Sequence, residues 1–196
     1  VDKKSRYVWI FLTRTKSPPL EQIKGLLSRF EHFKYATIMT DQGGELAKST
    51  HFKELINTFN YVLRPTGAYA SKQNSIAEKP NKDLAQIMRC SLYSAGLDSK
   101  FWSNALSHSV YLKNRWPHAS LHWKTPYEII HKRPPNLSHL RIFGSLVNVK
   151  SSSKRYMKLD TITSDGIFMT YSATNKNVYV VNHDGTNERC CTHVVY

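Results

Sequence analysis

The chain predicts an α/β layer with a sheet at its centre, followed by a small all-β module. Three observations carry that prediction. Strand-like apolar runs alternate with segments of helical period over roughly the first two thirds of the chain, as layered α/β folds require. Lys132-Arg133-Pro134-Pro135 then breaks the last helical segment. Beyond it the period becomes strand-like, with turn residues such as Asp184-Gly185 between short runs. The expected division is therefore residues 1–135 and 136–196.

Tyr7 to Leu12 is a continuous apolar run of aromatic and β-branched residues, as a strand buried on both faces would be. Ser17-Pro18 reads as a helix start, a hydroxyl at the N-cap and proline at the first position. Leu20, Ile23, Leu27 and Phe30 follow at helical spacing. Ala36 to Thr40 is a short strand ending at Asp41. Phe52, Leu55, Ile56 and Phe59 mark a helix capped by Ser49 or Thr50, and Tyr61-Val62-Leu63 a brief strand. Pro65 to Asn74 reads as a loop, and Ser75 to Tyr93 as a helix with Leu84, Ile87 and Met88 inward.

A further helix starts near Asp98 or Ser99, with Phe101 and Trp102 assigned to the core. Thr125-Pro126-Tyr127-Glu128 opens a short one with proline in its first turn. Arg141 to Phe143 with Val147 to Val149, Gly166 to Tyr171, Val178 to Val181 and Arg189 to Tyr196 are the expected strands of the final module.

The 196 residues are 40% hydrophobic and 12% aromatic, enough for a sizeable core. Twenty-eight Lys and Arg against 14 acids leave a formal charge of +14, which points first to a polyanion and so to nucleic acid. A membrane surface competes, but no basic amphipathic helix of the interfacial kind stands out and no apolar run approaches spanning length. The three cysteines, Cys90, Cys190 and Cys191, lack metal spacing and suggest a reducing compartment. A chain already inside a strand-like pattern at Tyr7 reads as a piece of a longer polypeptide.

Chemistry concentrates between Asp41 and Glu78. Asp41 directly follows a strand, before Gln42-Gly43-Gly44, and Glu78 lies near a helix start; 36 residues stand between them. Magnesium favours hard oxygen ligands and takes few carboxylates, so two acids from distant segments suit a metal-dependent phosphoryl-transfer site. Each also has a plainer explanation. Asp41 could be a turn residue, and Ser75-Ile76-Ala77-Glu78 matches a capping box.

A resemblance shifts the balance. Thr40 to Glu45, Gln73 to Lys79, Phe101-Trp102, Tyr111 to Pro117, Thr125 to Glu128 and His139 to Gly144, in this order and spacing, resemble the integrase of copia-type retrotransposons across almost the whole chain. The resemblance implies a ribonuclease H-like core, a mixed sheet flanked by helices, and then a small Src-homology-3-like barrel. It also implies an Asp, Asp, Glu triad holding Mg2+ or Mn2+, with Asp41 as the second acid and Glu78 as the third.

The family's first acid lies on the strand before the one matched by Tyr7 to Leu12, so it is expected to be missing here. Asp2 sits in a turn position and is not its replacement. The zinc-binding segment that precedes the family's core is absent, Ala70 to Ser75 departs from the usual sequence, and Pro80 follows Glu78 closely. By the same resemblance the expected partners are element and target DNA, the full protein is a homo-oligomer, and the location is the nucleus as the site of action or otherwise a cytoplasmic particle.

Lys72, Lys79 and Lys82 surround Glu78 and are the expected DNA contacts, with solubility lysines as the alternative. Lys113 to Arg141 holds six basic residues, one acid, four histidines, Trp116 and Trp123. It could be a second DNA surface or a packed junction, the latter favoured for the tryptophans. Two function classes follow: a polynucleotidyl transferase that processes and joins DNA 3′ ends, or a nucleic-acid-binding remnant without catalysis. A nuclease of the same fold is a third.

Overall fold

The computed structural model describes residues 1–30, 36–41, 45–65, 71–150, 163–172, 177–182, 186, 188–192 and 194–195, with backbone alone at 45, 71–75 and 195. They divide by packing into two compact units, residues 10–79 and residues 1–9 with 80–196. This division does not test the expected boundary after residue 135.

In the 10–79 unit, α1 (Leu20–Ser28) is followed by β1 (Thr37–Thr40), α2 (Glu45–Lys48), α3 (Thr50–Thr58) and β2 (Val62–Pro65). The two strands pair in parallel from Thr37 opposite Val62 to Thr40 opposite Pro65. A parallel pair needs a crossover, which α2 and α3 supply. Leu27, Phe52, Ile56 and Tyr61 form the core beneath them. The Tyr61 hydroxyl donates to the Phe30 carbonyl at 2.7 Å, so its polar end is not stranded.

α3 begins as expected: the Ser49 hydroxyl accepts from the Phe52 N–H at 3.2 Å. α1 does not. It starts at Leu20 after Pro19, with no side-chain cap, so Ser17 lies outside it. The reason is Pro19, which disfavours helical backbone at Pro18 before it.

The strand expected over Tyr7 to Leu12 is also absent, since none of these residues is in a ladder. Instead Asn114 binds the Val8 backbone with its carboxamide, accepting from the N–H and donating to the carbonyl at 2.8 Å each. One amide side chain thus does the work of a neighbouring strand at that residue. Phe11 and Leu12 are exposed. Asp2 accepts from the Ser5 N–H at 2.7 Å and from its hydroxyl, the turn role expected of it.

α4 (Ser71–Ala95) is longer than expected, with Ser71 to Asn74 helical rather than looped and Pro80 in its interior. From Pro80 onward the chain belongs to the second unit. There Asp98 caps a single 3-10 turn, Ser99–Phe101, by accepting from the Lys100 N–H at 2.7 Å. Next come α5 (Trp102–Lys113) and α6 (Pro126–His131). Thr125 and Glu128 form a reciprocal capping box at the start of α6, with bonds of 3.1 and 2.7 Å. Phe101 is buried, but Trp102 is exposed, contrary to its assignment to the core. Phe101 closes the 3-10 turn and Trp102 opens α5, so the two side chains leave the backbone in different directions.

The last segment forms β3 (Leu146–Lys150), β4 (Thr163–Tyr171), β5 (Val178–Val181), β6 (Arg189–Cys191) and β7 (Val194–Val195). They make one antiparallel sheet in the order β6-β5-β4-β3-β7. Among the described residues this ladder is open, with β6 and β7 at its ends. The Asp184-Gly185 turn lies outside the described residues. Arg141 to Phe143, expected in a strand, precede the sheet, and Gly144 at φ 82° turns the chain before β3.

β4 feeds two cores, and its register shifts between Phe168 and Thr170. Ile167 and Met169 pack with Phe101 and Ala105, while Phe168 and Tyr171 pack with Val147, Val149, Val178 and Val180. The sheet thus shares its apolar interior with the helices before it. A mixed α/β protein results, as the sequence predicts.

Candidate functional site

Asp41 is the first residue after β1 and is exposed. Loops after strand C-termini are where α/β proteins build their sites. Gln42, Gly43 and Gly44 lie outside the described residues. Glu78 is exposed on α4, the eighth residue of that helix. Because α4 starts at Ser71, Ser75 is inside the helix and cannot be its N-cap, which removes the capping-box explanation for Glu78. Lys79 and Lys82 are exposed and three residues apart on α4, so neither is committed to packing. Lys72 is in the first turns of the same helix, described by its backbone.

No cluster of three or more metal-ligating side chains occurs among the described residues. Asp41 and Glu78, the two sequence-derived carboxylates, are each open to solvent. No helix among the described residues is long and apolar enough to cross a membrane.

Sequence reasoning missed a polar cluster in the other unit. His108 on α5 is 2% exposed, between Phe143, Phe168 and Tyr171, with ring centroids 5.6–5.8 Å away. Among the described residues its Nδ1 has no hydrogen-bond partner. Burial pushes its pKa down to about 4, so the ring is neutral near pH 7. Ala105, His108 and Leu112 share helical spacing, and that is the signal that could have found it.

Tyr111, one turn on, stacks on Tyr171 at 4.3 Å and carries the Arg115 guanidinium 3.4 Å from its ring centroid. Burial raises the Tyr111 pKa, partly opposed by that guanidinium. Lys113 pairs with Asp83 at 2.7 Å. A groove of about 690 Å³ beside this pair is lined by His108, Lys113, Trp116, His118, Arg141 and Ile142, among others. Trp116 and Trp123 are 61% and 74% exposed, which corrects their assignment to a packed junction.

A parallel β-helix-β layer with an acid at a strand end, and a long helix bearing a second exposed acid, make a mixed α/β protein. The chain is similar to retrovirus-related Pol polyproteins of plant transposons. It is 26% identical over 174 residues to that of transposon TNT 1-94 from Nicotiana tabacum, covering 87% of this chain and 13% of the relative. It is 24% identical to those of transposons RE2 and RE1 from Arabidopsis thaliana, covering 97% of this chain and 14% of each relative. The chain thus spans 13–14% of the length of the curated relatives it matches.

No family model matches the chain. Among solved structures, the catalytic core domain of BIV integrase superposes with a TM-score of 0.48 at 16% identity, covering 67% of this chain and 82% of that one. A simian T-cell lymphotropic virus intasome in complex with PP2A regulatory subunit B56 gamma gives 0.46 at 16%, covering 91% and 64%. The Pol polyprotein relatives are consistent with the resemblance to a copia-type retrotransposon integrase that the motifs carry.

Proposed function

We propose that this chain is the integrase portion of a retrotransposon polyprotein, a polynucleotidyl transferase core that processes and joins DNA 3′ ends. The observation that carries the reading is similarity to transposon Pol polyproteins over 87% to 97% of the chain. In this reading the core is ribonuclease H-like over residues 1–135, and residues 136–196 derive from a small Src-homology-3-like barrel. The full-length protein acts as a homo-oligomer in the nucleus, on element ends and target DNA.

Asp41 and Glu78 would hold Mg2+ or Mn2+. The donor set suits such an ion: hard carboxylate oxygens, few in number, open to the water that fills the rest of an octahedral shell. A divalent ion supplies positive charge to the attacking and leaving oxygens of phosphodiester transfer. Lys72, Lys79 and Lys82 neutralise backbone phosphates near Glu78 and fix the duplex without reading its sequence.

Manganese titration of the chain beside its Asp41→Asn and Glu78→Gln variants tests the site. Both variants bind more weakly if the assignment holds, and equal affinity in all three removes it. Duplex DNA binding tests the lysines, since each lost phosphate contact lowers the salt slope by about 1. A Lys79→Ala/Lys82→Ala variant with the parent's slope contradicts their role.

A further inference from the structure

The connection between α5 and α6 displays two tryptophans where burial would be the cheaper outcome. Trp116 is 61% and Trp123 is 74% exposed. The loop holding Trp123 is tightly tied. His118 N–H donates to the Lys124 carbonyl at 3.1 Å, Trp123 N–H to the His118 carbonyl at 3.2 Å, and Lys124 N–H to the Leu121 carbonyl at 3.1 Å. The buried Leu121 side chain anchors it.

Two consecutive residues, His122 at φ 53° and Trp123 at φ 63°, occupy the left-handed region. Bulky side chains rarely adopt that backbone, and where they do the strain commonly marks a ligand contact. The indole is therefore presented by a built loop rather than left over at the surface.

The surroundings are basic. Residues 113–141 contain Lys113, Arg115, Lys124, Lys132, Arg133 and Arg141 against one acid, Glu128. That carboxylate accepts from the Thr125 N–H at the start of α6. Asp83 pairs with Lys113. Lys124, exposed, directly follows Trp123. Trp116 also lines the groove of about 690 Å³ with Lys113 and Arg141, leaving space beside its ring.

Flat exposed rings among cations fit a polyanion that carries its own flat rings. We infer that Trp116 and Trp123 form a stacking platform for single-stranded nucleic acid, each taking an unpaired base while the neighbouring cations follow the phosphates. The platform uses residues other than Lys72, Lys79 and Lys82, and it rests on the proposed function in taking nucleic acid as the partner.

The test uses quenching of tryptophan fluorescence by an oligothymidine of about twelve nucleotides, within the site sizes of such proteins. Trp116→Ala and Trp123→Ala should each weaken binding about five-fold or more, and Trp123→Phe should restore most of it. Heparin, a polyanion without bases, should bind all variants alike, and melting curves should show each variant folded. Parental oligothymidine affinity in both alanine variants overturns the proposal. So does an equal loss of heparin binding, or polyglutamate binding with the same dependence on Trp123, which would assign the surface to an acidic protein. The Lys79→Ala/Lys82→Ala variant should keep the Trp123-dependent quenching. Failure of duplex binding with that quenching intact would count against the proposed function and leave this platform standing.

Discussion

Gly144 meets Ala95 with no room for a side chain between them. A Cβ on residue 144 would fall 2.3 Å from the Ala95 Cβ, and the backbone there holds φ 82°. The end of α4 and the approach to β3 are locked together at this contact. Gly144→Ala should cost about 2–4 kcal/mol, combining overpacking with left-handed strain. Urea denaturation measures it, and Ala95→Gly in the same chain should recover the steric part but not the backbone part. A variant as stable as the parent would show that the contact yields freely.

Asn114 is expected to be the side chain the N-terminal strap depends on. Asn114→Ala leaves the buried Val8 N–H and carbonyl without their partners. Two unsatisfied groups of that kind cost about 2–4 kcal/mol. The urea midpoint should fall accordingly, with faster proteolysis near residues 1–9. A loss below about 0.5 kcal/mol would mean that the strap finds other partners.

Pro80 is an interior residue of α4, and without an N–H it leaves the Ile76 carbonyl without its helical donor. Pro80→Ala restores that bond and should raise stability by about 1–3 kcal/mol. Thermal melting tests it, and an unchanged or lower midpoint would show that the helix is already adapted to proline.

His108 makes stability depend on pH. Its folded pKa is lowered by burial from 6.5 to about 4, so the unfolded chain takes up the proton first. The contribution is complete above pH 6.5 and is lost as pH falls through the interval down to about 4, by about 3 kcal/mol in all. His108→Phe removes both the titration and the unpartnered Nδ1 among its aromatic neighbours. Denaturation at pH 7.5 and 4.5 should show a smaller pH difference in that variant than in the parent. Equal differences would place the pH dependence elsewhere.

What the sequence made legible follows from periodicity. The α/β beginning, α3 with its Ser49 cap, α5, α6 and the strands of the last segment were readable because local pattern and local packing agree there. Tyr7 to Leu12 was misread because its apolar pattern is real, while the partner that satisfies Val8 is one amide far along the chain. Trp102 and Trp123 were misread because a type preference for burial was applied where helix direction and a strained loop point the ring outward.

For the candidate site, the assignment of both Asp41 and Glu78 depends on the resemblance, since a strand end before Gln42-Gly43-Gly44 suits a turn residue equally well. Extending α4 back to Ser71 then removed the rival explanation for Glu78. His108 left a helical-spacing signal, but its unpartnered nitrogen depends on neighbours drawn from β4 and the approach to β3.

The Val8–Asn114 clamp also sets an order of events during synthesis. Its halves are 106 residues apart, so at about 5–20 residues per second the ribosome makes the strap roughly 5–20 s before the amide that secures it. Throughout that wait Val8 has no Asn114 to bind, and the strap docks only after α5 has emerged. Residues 1–9 should therefore be the part of this unit most open to capture by a chaperone on the nascent chain.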